Sequence, residues 1–181
     1  SIKKWTIKTS WIQKIPFAGQ LLSPLRILAP WAFSSFNLSE YDVIISSCNL
    51  YSSKAVKTGK SQLHLSYIHT PPKMLYGYTT SFNYKKHWWI KFGAEIINHF
   101  LRIIDYEISQ RPAILIANSI NVQKRIQKFY RRDSEVVYPG VDIEKYQVLS
   151  SKPQAEKEYF LALNRLSRGK GTEIIVAACR K

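Results

Sequence analysis

Three short segments carry side chains whose types and spacing suit chemistry on an anionic ligand. In Tyr67-Ile-His-Thr-Pro-Pro72 an apolar run ends in His69 and Thr70 and is then stopped by two prolines. Proline fixes φ and lacks an N–H, so Pro71 and Pro72 keep the chain from continuing a sheet and leave His69 at a strand end. In open α/β sheets ligands bind beyond the carboxyl ends of strands. An imidazole there gives or accepts a hydrogen bond near neutral pH; a histidine satisfied by backbone fits the same pattern. Ala117-Asn-Ser119 again joins an apolar run to a helical one. Ser119 reads as a plain N-cap, while Asn118 and Ser119 also stand where the free N–H groups of a helix start meet a ligand. Asn164-Arg-Leu-Ser-Arg-Gly-Lys-Gly171 sets two glycines and three cations in a strand-to-helix loop, which suits a phosphate. It has neither the spacing of a Walker loop nor a GxGxxG fingerprint, and a solvated basic loop is the other reading.

The elements that must position these residues follow from periodicity. Short apolar runs at Asp42–Ser46, Leu63–His69, Ala113–Asn118, Glu135–Tyr138 and Tyr159–Leu163 read as strands. Their nearly continuous apolarity predicts burial on both faces, as in a parallel sheet. Trp89, Phe92, Ile96, Ile97, Phe100, Ile104 and Ile108 recur at helical spacing and predict a long helix packed through those residues. Val122, Ile126 and Phe129 predict a shorter helix, with Lys124, Arg125 and Lys128 on its polar side and Arg131 and Arg132 near its end. Alternating strands and helices imply an α/β doubly wound fold. Segment 147–157 breaks the pattern with serines, Pro153 and charges, and reads as a linker between domains. The Phe17–Phe36 stretch, apolar but interrupted by Pro24 and Pro30, reads as a broken helix or an irregular lid.

Composition narrows the function classes. Apolar residues at 45% and charged residues at 22% exclude a disordered chain. A net charge of +15 points to an anionic partner, whether phosphorylated substrate, acidic membrane or nucleic acid, or else to a solvated basic face. The helix around Lys124, Arg125 and Lys128 suits phosphates, but no nucleic-acid-binding motif is present, and the aromatics fall at positions that argue for core packing over base stacking. Nucleic acid is therefore not expected. Cys48 and Cys179 lie far apart and outside any Cys/His cluster, so they form no zinc site or disulfide framework by themselves. A reducing, cytoplasmic setting is the default. No signal peptide or apolar stretch of membrane-spanning length is visible. The chain starts at Ser1 without Met and ends at Lys181 inside an amphipathic run, and reads as a piece of a longer protein.

The order of segments carries more than any one of them. Tyr41-Asp-Val-Ile-Ile-Ser-Ser47 is followed by Tyr67-Ile-His-Thr-Pro-Pro-Lys-Met-Leu-Tyr76, then Ile116-Ala-Asn-Ser119 with Arg125-Ile-Gln-Lys-Phe-Tyr130, then Val136-Val-Tyr-Pro-Gly-Val-Asp142, then Phe160 to Gly171. From Tyr41 onward this series resembles the group 1 (family 4) glycosyltransferases, and most closely their mannosyltransferase-like branch of surface-polysaccharide enzymes. The resemblance implies a GT-B fold of two Rossmann-like domains: a partial acceptor-side domain over 1–146, a linker over 147–157, and the start of a donor-binding domain over 158–181. It implies a retaining transfer of a hexose from a nucleotide sugar to a glycan or lipid-linked acceptor, at the inner face of the cell membrane, without a metal or other cofactor. An alternative is a basic α/β module that binds nucleic acid or membrane without catalysis.

The resemblance also implies roles. His69 matches the cleft histidine near the transferred sugar, Arg165 and Lys170 the basic pair on the donor diphosphate, and Thr70, Asn118 and Ser119 the cleft lining. Cations aimed at a leaving diphosphate stabilise the transition state more than the ground state, by roughly 3–4 kcal/mol for one such group. Asn164 stands where the family usually has Gly, and Gly140 where the closest branch often has Pro. The family's amino-terminal strand with its Gly-rich loop and its carboxyl-terminal pair of glutamates are absent, so this chain is expected to be inactive alone.

Overall fold

The computed structural model describes residues 5–20, 25–48, 52–78, 88–146, 160–164 and 170–180. Their architecture is α/β, with a four-stranded parallel sheet of Rossmann-like kind. The elements in chain order are α1 (Ala29–Ser34), β1 (Val43–Cys48), β2 (Leu63–Ile68), α2 (Trp88–Ser109), β3 (Ile114–Ala117), α3 (Ile120–Tyr130), β4 (Glu135–Val136) and α4 (Thr172–Cys179). Strand order in the sheet is β1-β2-β3-β4, and each adjacent pair is parallel. The register sets Ser46 beside Ser66 and Cys48 beside Ile68, then Ile68 beside Ala117. β2 and β3 are central as expected. β1 forms the edge of the described sheet instead of a central strand.

Topology explains why, among the described residues, only one face of this sheet is covered. Each strand adds beside the last in one direction, and parallel crossovers are right-handed, so every crossover falls on the same side. The covered side holds Ile44, Ser46 and Cys48 of β1, His64, Ser66 and Ile68 of β2, and Leu115 and Ala117 of β3. The other side leaves Val43, Leu63 and Ile114 exposed, with Ile45 73% exposed. The expectation of burial on both faces is thus corrected: the runs are apolar throughout, but the connections of these four strands cover one face.

α2 spans the predicted helix but presents a different side to the core. Leu101 and Ile108 are buried, and with them Asn98, Asp105 and Ser109, while Phe92, Ile96, Ile97 and Phe100 are exposed. Partners fix the rotation. Asp105 meets a lysine and a tyrosine, and Leu101 and Ile108 pack with Ala55 and Leu75. α3 matches its expectation. Ser119 is in extended conformation and its hydroxyl accepts from the Val122 N–H, while Val122, Ile126 and Tyr130 are buried. The helix stops at Arg131, which adopts a left-handed conformation with φ 53°. A second cluster joins Ile126 and Tyr130 to Cys48, Ile68, Leu115 and Ala117.

Toward the ends of the chain the outcome is mixed. The Phe17–Phe36 stretch holds a 3-10 turn at Arg26–Leu28 and the short α1, in which Pro30 takes an early helical position where its missing N–H costs nothing. The strand expected over Glu135–Tyr138 pairs only at Glu135 and Val136. The strand expected at Tyr159–Leu163 is not formed over residues 160–163, where Leu163 is 94% exposed. A strand exists only where a neighbour takes its backbone groups, and no described residue does so there. α4 forms after Gly171, whose φ of 64° suits glycine, and none of its residues is buried. The linker expected at 147–157 and Arg165 lie outside the described residues.

Candidate functional site at the carboxyl edge of the sheet

Strand ends gather the predicted residues on one side. His69 follows the last residue of β2, and its N–H donates to the Cys48 carbonyl at 2.8 Å, which extends the β1–β2 ladder by one bond. Its ring is exposed, with Nε2 3.0 Å from Ser47 Oγ and its centroid 5.2 Å from the Tyr67 ring. Tyr67 in turn donates from its hydroxyl to the Val137 carbonyl. The imidazole is therefore held by neighbours from β1 and β2 while one side meets solvent.

Thr70 is half-buried, and its Oγ1 accepts from Arg125 Nη1 of α3 at 3.1 Å. The Arg125 guanidinium lies over the Tyr78 ring, 4.6 Å from its centroid, a favourable arrangement of a cation on an aromatic face. Asn118 and Ser119 close the same edge. The Asn118 N–H reaches toward the Ile68 carbonyl at 3.4 Å, and the Ser119 hydroxyl donates to Asn118 Oδ1. His69, Thr70, Asn118 and Ser119 thus line one edge with the start of α3, whose dipole favours negative charge. Lys170 is exposed just before α4. Nothing in the described geometry brings it to His69.

Comparison of the chain with protein-family models, with curated proteins and with solved structures finds no match.

Among the described residues no three His, Cys, Asp or Glu side chains stand close enough to hold a metal ion, and no helix is long and apolar enough to cross a membrane. Two surface depressions lie at the other end of the sheet. One is lined by residues that include Ser34, Asn37 and Gln62, and the other by residues that include Ile114, Arg132 and Glu135.

Two buried polar groups escape the sequence reading. Lys54 and Asp105 are both fully buried, and Lys54 Nζ donates to Asp105 Oδ1 and to the Tyr130 hydroxyl, each at 2.6 Å. The Tyr76 hydroxyl donates to Asp105 Oδ2 at 2.8 Å. Burial first, then the Asp105 charge, raises the pKa of both tyrosines, so they stay protonated as neutral donors. The second group is Ser46, His64 and Ser66, with His64 Nε2 2.9 Å from Ser46 Oγ and Ser46 Oγ donating to Ser66. Asp105 shares its apolar helical run with Glu95 and Glu107, so the sequence does not mark which acid is buried. Lys54 sits in an unpatterned turn that gives no signal.

Proposed function

We propose that the chain is the acceptor-side part of a retaining glycosyltransferase of GT-B type. In this reading it moves a hexose, mannose by the branch it resembles, from a nucleotide sugar to a glycan or lipid-linked acceptor. The observation that carries the reading is the gathering of His69, Thr70, Asn118 and Ser119 at one carboxyl edge of a parallel sheet, where such folds bind ligands. His69 would hold a hydroxyl of the transferred sugar, with Ser47 fixing the ring. Arg125 acts one step back and holds Thr70. Arg165 and Lys170 would take the charge that grows on the leaving diphosphate, so the transfer needs no metal. Arg forks onto two oxygens of one phosphate while Lys supplies a point charge. The net charge of +15 fits peripheral contact with an anionic membrane that carries the acceptor.

The test is a transfer and donor-hydrolysis assay across nucleotide sugars in the full-length protein that contains this chain. His69→Ala is expected to lower kcat by about 100-fold or more while the fold persists. Arg165→Ala and Lys170→Ala are expected to cost about as much each, and Arg168→Ala little. Equal losses at Arg165, Arg168 and Lys170, or no turnover by the parent on any nucleotide sugar, would replace this reading with a basic binding module.

A further inference from the structure

α2 carries a second apolar side that the core does not use. Phe92, Ile96, Phe100 and Ile103 are spaced four, four and three residues apart, which puts them within about 80° of one another around the helix. Phe92 is 67% exposed and Phe100 60%, and Ile96, Ile103 and Tyr106 are exposed as well. His99, the remaining position on this stripe, is also exposed and its ring packs edge-on against Phe100. From Phe92 to Tyr106 the stripe runs about 21 Å along the helix, and Glu107, one turn beyond Ile103 on the same side, ends it with a charge. The opposite side of the same helix holds Leu101, Asp105 and Ile108 in the core. A helix that is apolar on both sides belongs inside a larger assembly, and uncharged patches of this extent mark interaction surfaces.

The charges on the helix select the partner. In a chain of net +15, α2 has Lys91 and Arg102 against Glu95, Asp105 and Glu107. Helices that lie on anionic bilayers are rich in Lys and Arg beside the apolar stripe, and α2 is not. Glu95 and Arg102 lie together on one flank of the stripe, both partly exposed and 3.9 Å apart at their nearest atoms. That arrangement is self-complementary. If two copies of α2 cross antiparallel about a two-fold axis near His99, Glu95 of each copy faces Arg102 of the other. Ile96 of one then packs against Phe100 and Ile103 of its mate. Two-fold interfaces use one patch twice in this way.

We propose that the outer stripe of α2 is a homodimer interface, in which two copies of this chain pair antiparallel through Phe92, Ile96, Phe100 and Ile103 and exchange Glu95–Arg102 ion pairs. The stripe is small beside the roughly 800 Å² per partner of a standard interface, so the dimer is in reversible equilibrium with monomer.

Sedimentation velocity of the full-length protein that contains this chain, over a concentration series, tests this. The wild-type protein is expected to shift from monomer to dimer with rising concentration. Phe100→Glu, on an exposed side chain, should weaken association about tenfold or more with the circular dichroism unchanged. Ile45→Lys on the bare sheet face should leave it intact. Charge reversal supplies the decisive arm. Glu95→Arg and Arg102→Glu should each associate poorly alone, and a mixture of the two should form heterodimers, because each then offers the sign the other needs. That result cannot come from the ion pair within one helix. A chain that stays monomeric throughout, a dimer broken by Ile45→Lys but not by Phe100→Glu, or single variants that fail to complement on mixing would each overturn the proposal. So would a monomeric chain whose stripe binds lipid vesicles and loses them with Phe100→Glu, which would assign the face to a membrane.

Discussion

His64 shows how a single side chain can set a pH limit on this fold. It is buried on the covered face of β2, with Nε2 at hydrogen-bond distance from Ser46 Oγ. Because Ser46 gives its own proton to Ser66, Nε2 must be the donor, and Nδ1 is left as a buried lone pair without a partner. Burial lowers the pKa of this ring, since a charged imidazolium would place a second N–H where nothing accepts it. The unfolded chain, with an ordinary histidine pKa of about 6.5, therefore binds a proton that the folded chain refuses. Stability is full above that value and falls as pH drops below it, by up to about 1.4 kcal/mol per unit until the folded-state pKa is reached. Urea unfolding from about pH 7 to about pH 5 is expected to show this slope, and His64→Gln to remove most of it. An unchanged slope in the variant would assign the pH dependence to carboxylates elsewhere. At the same scale His69 was legible from its strand-end position and the prolines behind it, whereas His64 lay within the same apolar run and looked no different from a strand residue. Sequence spacing tells which face a strand residue takes only if the buried face is known, and here it was not.

At the scale of elements, the Lys54–Asp105 pair decides how α2 sits. The pair joins the turn at Ser53–Ala55 to α2, and through Tyr130 and Tyr76 to the end of α3 and the loop after β2. This explains why the helix turns Asn98, Asp105 and Ser109 inward while equally apolar residues face out. A buried carboxylate is tolerated only with a cation and further hydrogen bonds, and the place beside Lys54 supplies both. The hydrophobic periodicity of α2 gave its length correctly but not its rotation, because apolar residues occur on both sides and the deciding partner lies 51 positions away in sequence. Lys54→Met is expected to destabilise the chain by about 3–5 kcal/mol, since Asp105 is then left buried and charged with no cation beside it. Adding Asp105→Leu should recover only part of that loss. The Tyr76 and Tyr130 hydroxyls would lose their partners, at about 1–3 kcal/mol for each group left unsatisfied. Thermal or urea denaturation of the two single variants and the double variant closes this cycle. Additive losses would mean that the two charges act independently and that packing alone orients α2.

The described sheet is one-sided, and that asymmetry yields a prediction of its own. The four strands were legible as parallel because each is short, apolar and followed by enough chain for a crossover. Their order was not legible, since no local pattern records whether the next strand is laid to the left or the right. That order leaves Val43, Ile45, Leu63 and Ile114 on an open face, while Leu115 on the opposite face is only 1% exposed. A residue already in contact with water in the folded state has little hydrophobic free energy to lose when it is made polar. Ile45→Thr keeps the β-branched shape that suits a strand and is expected to cost less than about 1 kcal/mol, while raising solubility by breaking an apolar patch. Leu115→Ala removes methyl groups from close-packed surroundings of Ile126 and Tyr130 and is expected to cost about 2–5 kcal/mol. Urea denaturation of both variants compares the two faces directly, in one protein and under one set of conditions. A loss at Ile45 as large as that at Leu115 would mean that the second face is covered in solution, and the one-sided sheet would then describe only part of the folded assembly.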